Sequence, residues 1–396
     1  MRVRGSLRFT ILMLAQVMLA ACLPERGWQA AELARDIAAT ADPAALDARI
    51  APPRRATAAY AVAGRAHRGD IYRPATGDAR AALVLVPGVV PEGKDHPVLV
   101  GFARALTGAG FLVLVPEMPN LRALRVGSDD AGFIGDAIRY LAAESGVGPN
   151  AGVGLVAFSY AAGPALLAAM TADVARSLRF VYLIGPYYSM QAFITYVTTG
   201  RYRRDASEPW SVRAPNPYGR LVLALSCAAR LDNPADRVTL TAMTQRRVRD
   251  PTADLADLVA KLSPEGRSIY DLVVNDDPER VPSLIAALPP KVLAEVRALD
   301  LGRQDLTRLR PSLVLLHGRA DPLVPHTQSL ALAAAVGEKA EVYLLDNMRH
   351  VEPGFSGIGD FFRVWQASYS LLAFRDAMPA PKTWNLMPPK DSGTSP

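Results

Sequence analysis

The chain has 396 residues, half of them hydrophobic and about a fifth charged, a composition that excludes a disordered protein and allows a large buried core. Its formal charge is +6, but Arg2, Arg4 and Arg8 lie in a leader without acidic residues, so the remainder carries only +3. No basic tract interleaved with aromatics follows, which argues against nucleic acid as a partner.

The leader reads MRVRGSLRFTILMLAQVMLAACLP. Three arginines precede an apolar stretch at residues 9–21, too short to span a bilayer comfortably and flanked as a secretory signal peptide is. Its end, Leu19-Ala20-Ala21-Cys22, resembles the bacterial lipobox. That resemblance implies removal of residues 1–21, a diacylglyceryl group on the Cys22 thiol, and a periplasm-facing protein anchored in the bacterial envelope. Leu23 stands where an aspartate would resemble an inner-membrane retention signal, which points to the outer membrane. The only other cysteine, Cys227, lies in an apolar run and reads as core filler without a disulfide partner.

Residues 22–57 read as a tether: an alanine-rich helical piece at 28–41, then the breaker APPRR. Residues 59–74 alternate weakly, as a strand pair does; the Arg68-Gly69-Asp70 they contain is a chance motif. From residue 81 short apolar runs alternate with helical periodicity. AALVLVPG, FLVLVPEMP, VGLVAFS and FVYLIGP predict buried strands, and 97–110 and 129–145 predict helices. Such a rhythm predicts a parallel sheet covered on both faces. After Pro186 it breaks for some 120 residues that read as helices without a convincing strand, then returns with PSLVLLHG and AEVYLLDN. A last amphipathic helix over 359–375 precedes a proline-rich tail. The predicted organisation is therefore a core over 58–189 and 311–376, an inserted helical cap over 190–310, and a tail over 377–396.

In an open parallel sheet functional residues gather at the carboxyl ends of the strands. Gly88-Val89, Ser159, Asp321 and His350 all fall there. A serine hydroxyl needs a histidine to take its proton, and the histidine needs a carboxylate to fix and stabilise it. The chain order Ser…Asp…His resembles that of the α/β-hydrolase family. Ala157-Phe158-Ser159-Tyr160-Ala161 is similar to its Gly-x-Ser-x-Gly elbow with alanine in both glycine positions, and HGRADPLVP at 317–325 looks like the segment that carries the family's acid. The resemblance covers residues 70–190 and 310–375. It implies an α/β-hydrolase fold, Ser159 as nucleophile, Asp321 as acid and His350 as base. It also implies an oxyanion hole from the backbone amides of Val89 and Tyr160. Asp346 is the nearest alternative acid by sequence. His317 reads as a structural residue, His326 as a loop residue near Asp321, and His67 and His96 as histidines without partners.

No histidine, cysteine and carboxylate spacing suits a metal, and no glycine-rich loop follows a strand, so no cofactor is called for. Tyr187, Tyr188, Phe193 and Tyr196 stand at the cap entrance, either cementing cap to core or walling an apolar pocket for a small ester substrate. The leading reading is a serine esterase. Acyl transfer, amide or peptide hydrolysis, and a non-catalytic binding lipoprotein on the same fold remain alternatives.

Overall fold

The computed structural model describes residues 25–144, 152–350 and 357–377. Its centre is an eight-stranded sheet built from β1 (Arg54–Val62), β2 (Arg65–Arg73), β3 (Ala81–Val86), β4 (Phe111–Pro116), β5 (Val153–Phe158), β6 (Leu178–Ile184), β9 (Ser312–Gly318) and β10 (Ala340–Leu345). The strand order is β1-β2-β4-β3-β5-β6-β9-β10. The hairpin β1–β2 turns on Ala63 and Gly64, both at positive φ, and joins β4 antiparallel; every other pairing is parallel.

The central strands are buried on both faces, which is why they read as unbroken apolar runs. Strand alternation still divides them: Ala82, Val84 and Val86 of β3 enter one core, and Ala81, Leu83 and Leu85 the other. The first core is covered by α3 (Asp130–Glu144) and α4 (Ala162–Ala169). The second is covered by α1 (Glu25–Ala38), α2 (Pro97–Gly108) and α11 (Ile358–Ala377). Between β6 and β9 come α5 (Met190–Thr199), α6 (Tyr218–Ala228), α7 (Pro234–Arg249), α8 (Pro264–Val274) and α9 (Pro290–Leu299). The helix α10 (Thr327–Val336) links β9 to β10.

Three expectations are corrected. The segment expected as a tether is docked from Glu25 onward: Ala30, Leu33, Ala34 and Ile37 form a buried helical stripe against α2 and α11. Trp365 Nε1 donates to the Gly27 carbonyl at 2.8 Å, and Arg26 pairs with Asp376 at 2.8 Å. The first strand likewise begins at Arg54, inside that segment. The inserted block is not all helical, because Arg201–Tyr202 (β7) and Ser211–Val212 (β8) pair as a short antiparallel ribbon. Finally, His67 has a partner: its Nε2 lies 2.8 Å from Asp136 Oδ2, which Arg65 Nε also binds, while Arg139 pairs with Oδ1. Cys22 and the leader lie outside the described residues, as does the tail beyond Ala377.

Candidate active site

β5 stops at Phe158 in extended backbone, and the next residue, Ser159, has φ +55°. A side chain in that left-handed region costs about 1–2 kcal/mol. The reversal at Ser159 turns the chain from β5 through a 3₁₀ turn at Ser159–Ala161 into α4. His350, in the loop after β10, has φ +52°. Two non-glycine residues in this rare conformation meet at one point. His350 Nε2 is 2.8 Å from Ser159 Oγ, and His350 Nδ1 is 2.7 Å from Asp321 Oδ2.

Asp321 is fully buried in the loop after β9. Its Oδ1 accepts from the amides of Leu323 at 2.7 Å and Val324 at 2.9 Å. Burial alone would raise its carboxyl pKa, but the charge and hydrogen bond of His350 and the hydrogen bond of His317 outweigh it. They hold the group far below the ordinary carboxylate range. An ionised carboxylate only accepts, so His350 Nδ1 carries the proton and Nε2 is left to accept from the serine. Gly185, at φ +64° just past β6, completes this corner. A Cβ there would stand 3.4 Å from both Asp321 Oδ2 and the His350 ring.

The parallel register of β3 and β5 pairs Val86 with Ala157, so the loops carrying Val89 and Tyr160 leave the sheet at the same level. The Tyr160 amide lies in the first turn of a helix, where amides have no intrahelical acceptor. Val89 is buried, and its carbonyl accepts from Tyr218 Oη at 2.7 Å, so its loop is held from the cap.

Of the four aromatics expected in a pocket, two line one. A cavity of about 50 Å³ between α5, α6 and α9 has Tyr160, Tyr187, Phe193, Leu223 and Cys227 in its wall. Tyr188 and Tyr196 do not line it. Tyr196 Oη donates to the Asp321 carbonyl at 3.4 Å, and the Tyr188 amide donates to Gln328 Oε1 at 3.1 Å. Tyr196 thus braces the cap against the loop that carries Asp321, whereas the Tyr188 contact is made by its backbone to α10. Asp346 is not brought to His350: half exposed, it pairs with Arg319 and Arg363.

Sequence reading missed two neighbours of Asp321. Arg213, on the strand-ribbon side of the cap, donates from Nη1 to the Asp321 carbonyl at 3.1 Å and lies over the Tyr202 ring. Nothing in its local sequence signals this, because the acceptor is a backbone atom 108 residues away. His317, read as structural, is fully buried with Nε2 2.9 Å from the Val324 carbonyl and 3.3 Å from Asp321 Oδ2. Its Nδ1 meets Ser329 Oγ at 2.7 Å. Among the described residues no group of three His, Cys, Asp or Glu side chains is placed to hold a metal ion.

The sequence matches no known family model and no curated protein. Its backbone resembles many solved structures. A Legionella pneumophila protein assigned as a hydrolase superposes with TM-score 0.53 at 11% identity, over 86% of this chain and 94% of that one. A hyperthermophilic esterase from Pyrobaculum calidifontis aligns at TM-score 0.43 and 17% identity, over 88% and 91%. A puromycin-hydrolysing peptidase from Mycobacterium tuberculosis aligns at TM-score 0.44 and 14% identity, over 83% of this chain. This chain spans about two fifths of the length of that peptidase and of the Pyrococcus horikoshii acylaminoacyl peptidase it also matches. With its mostly parallel eight-stranded sheet and helices on both faces, the chain has the α/β-hydrolase fold.

Proposed function

We propose that the protein is a serine hydrolase that cleaves carboxylic esters through an acyl-enzyme, tethered to a bacterial membrane by a lipidated Cys22. The observation that carries the catalytic part is the unbroken chain Ser159 Oγ–His350–Asp321, with both contacts within 2.8 Å. Ser159 Oγ attacks the ester carbonyl as His350 Nε2 takes its proton, and ionised Asp321 stabilises the imidazolium that forms. The amides of Val89 and Tyr160 donate to the oxyanion. His350 then protonates the departing alcohol, and water repeats the sequence to release the acid.

The small, mostly apolar cavity beside Tyr160, one residue from the nucleophile, suits a short acyl group, although Ser226, Arg230 and Glu295 also line it. Its 50 Å³ is about a third of the ~150 Å³ that admits benzene in an engineered cavity. The tether rests on the lipobox resemblance at Leu19-Ala20-Ala21-Cys22.

The test is labelling by a fluorophosphonate together with hydrolysis of short-chain p-nitrophenyl esters. Ser159→Ala should abolish labelling and lower kcat on the order of 10⁶-fold. Removing only a hydroxyl, it should change stability by less than about 1 kcal/mol. A Ser159→Ala protein that still labels would assign the nucleophile elsewhere, and a wild-type protein that never labels would remove the enzyme reading.

A further inference from the structure

The helix α11 is apolar on two faces; the fold buries one and covers the other only at Trp365 and Tyr369. Val364, Ala367, Leu371 and Leu372 are buried in the core under the sheet. A second set, Ile358, Phe362, Trp365 and Tyr369, recurs at steps of four, three and four, so it forms a continuous stripe along another face. Ile358 is 90% exposed and Phe362 52%, while Trp365 and Tyr369 are half-buried. Phe362 stacks on Trp365 at 5.3 Å between ring centroids, and Trp365 meets Tyr369 at 5.8 Å. The stripe itself contains no charged residue, and nothing in the proposed chemistry uses it.

Its position tells what covers it. The stripe lies beside the first turn of α1: Trp365 is bonded to the Gly27 carbonyl, and the Arg26 guanidinium lies over the Tyr369 ring. Cys22 precedes Gly27 by five residues, a span that reaches at most about 18 Å even when fully extended. A bilayer holding acyl chains on Cys22 is therefore within that distance of Trp365. The residue types fit such a surface: indole and phenol rings settle at the headgroup level, and aliphatic and phenyl groups enter the acyl boundary.

We propose that the α11 stripe, led by Ile358 and Phe362, rests in the membrane interface and orients the hydrolase on its bilayer. One acyl anchor alone would leave the domain free to rotate; the stripe supplies a second contact at high effective concentration. The proposal rests on the Cys22 reading for the bilayer's nearness, and the two fail separately.

The test uses the full chain carrying Ile358→Cys with an environment-sensitive fluorophore. Val238→Cys on α7, 70% exposed, serves as the reference position. The protein is bound to phosphatidylethanolamine–phosphatidylglycerol vesicles that contain nitroxide-labelled acyl chains. The probe at 358 should shift to the blue and lose intensity to the nitroxide, and the probe at 238 should do neither. Palmitate incorporation at Cys22 is measured on the same material. Lipidated protein whose 358 probe stays in water overturns the stripe and leaves the anchor. An unlipidated protein whose 358 probe is still quenched removes the anchor and supports the stripe. A blue shift without nitroxide quenching, accompanied by a dimer mass, makes the stripe a contact between copies and overturns the proposal.

Discussion

The sheet and the block of helices beyond its carboxyl edge are held together by different means. In the sheet every side chain of β3, β4 and β5 is buried, and each strand is locked by register to neighbours on both sides. The cap shares the core on one face of the sheet and meets the loops of the site by ring packing, Phe193 on Tyr160 at 4.7 Å, and also through single hydrogen bonds. Tyr218 reaches the Val89 carbonyl, Arg213 and Tyr196 the Asp321 carbonyl, and the Asn216 amide the Pro322 carbonyl at 2.7 Å. Ser159, Asp321 and His350 are thus located by strands fixed in register, whereas the cap adds apolar packing and individual hydrogen bonds around them. Substitutions in the two regions should fail differently.

The largest effect belongs to the scaffold side. Asp321→Asn keeps the oxygen that accepts from Leu323 and Val324, but it turns an amide toward His350 Nδ1. The ring must then carry its proton on Nε2, where it cannot accept from Ser159. Kinetics with p-nitrophenyl esters should show kcat lower by about 10⁴-fold with folding intact. A loss under tenfold would detach Asp321 from the reaction.

Gly163 tests whether the two regions are coupled. A Cβ on this α4 residue would fall 1.8 Å from Tyr187 Oη, and Tyr187 is fully buried and donates to the Leu299 carbonyl of the cap at 3.1 Å. Neither side can yield freely, so Gly163→Ala should cost about 1–3 kcal/mol, read as a lower urea midpoint. An unchanged midpoint would mean that the cap rides loosely on the core.

A contact on the cap side should cost less. Arg213→Ala removes one donor from the Asp321 carbonyl and should lower kcat about tenfold through small misplacement of the acid, with little change in Tm. Arg213→Lys should recover part of the loss. Equal activity in all three proteins would show that Tyr196 and Asn216 suffice to hold the loop.

The smallest effect is at the seam. Asp130 of α3 is buried beside the Ser128–Glu295 and Arg230–Asp129 contacts. Burial raises its carboxyl to about 6, against hydrogen bonds from the Gly127 amide and Asn120 that would lower it. The fold therefore binds this proton more tightly than the unfolded chain does. Its contribution to stability is full below the unfolded pKa near 4 and is lost as pH rises through about 6. Urea midpoints across that window should fall for the native protein and stay flatter for Asp130→Asn. Parallel curves would assign the slope to another group.

Much of this was readable from local pattern. Parallel strands covered on both faces read as apolar runs, so 81–86, 111–116 and 153–158 announced themselves, as did β6 from Phe180 onward, its Arg179 being exposed. The docking of α1 did not, although Ala30, Leu33, Ala34 and Ile37 hold the spacing of a buried stripe, because alanine marks helix more clearly than it marks burial. Tyr196 was grouped with the pocket because an aromatic ring at a cap looks alike whether it walls a cavity or braces a loop. Arg213 and His317 gave no signal of their contacts with Asp321, since the atoms they approach belong to a distant loop or become neighbours only through folding.

The sequence by itself determined the strands of the central sheet, though not the β7–β8 ribbon, and that Ser159, Asp321 and His350 follow strand ends, because alternation, apolar runs and breakers act within a few residues. Tertiary structure decided the order in which those strands lie side by side, and so brought Ser159 Oγ to 2.8 Å from a histidine 191 residues away. It also decided the left-handed backbone at Ser159 and His350, a strain that survives only where the surrounding packing leaves no alternative.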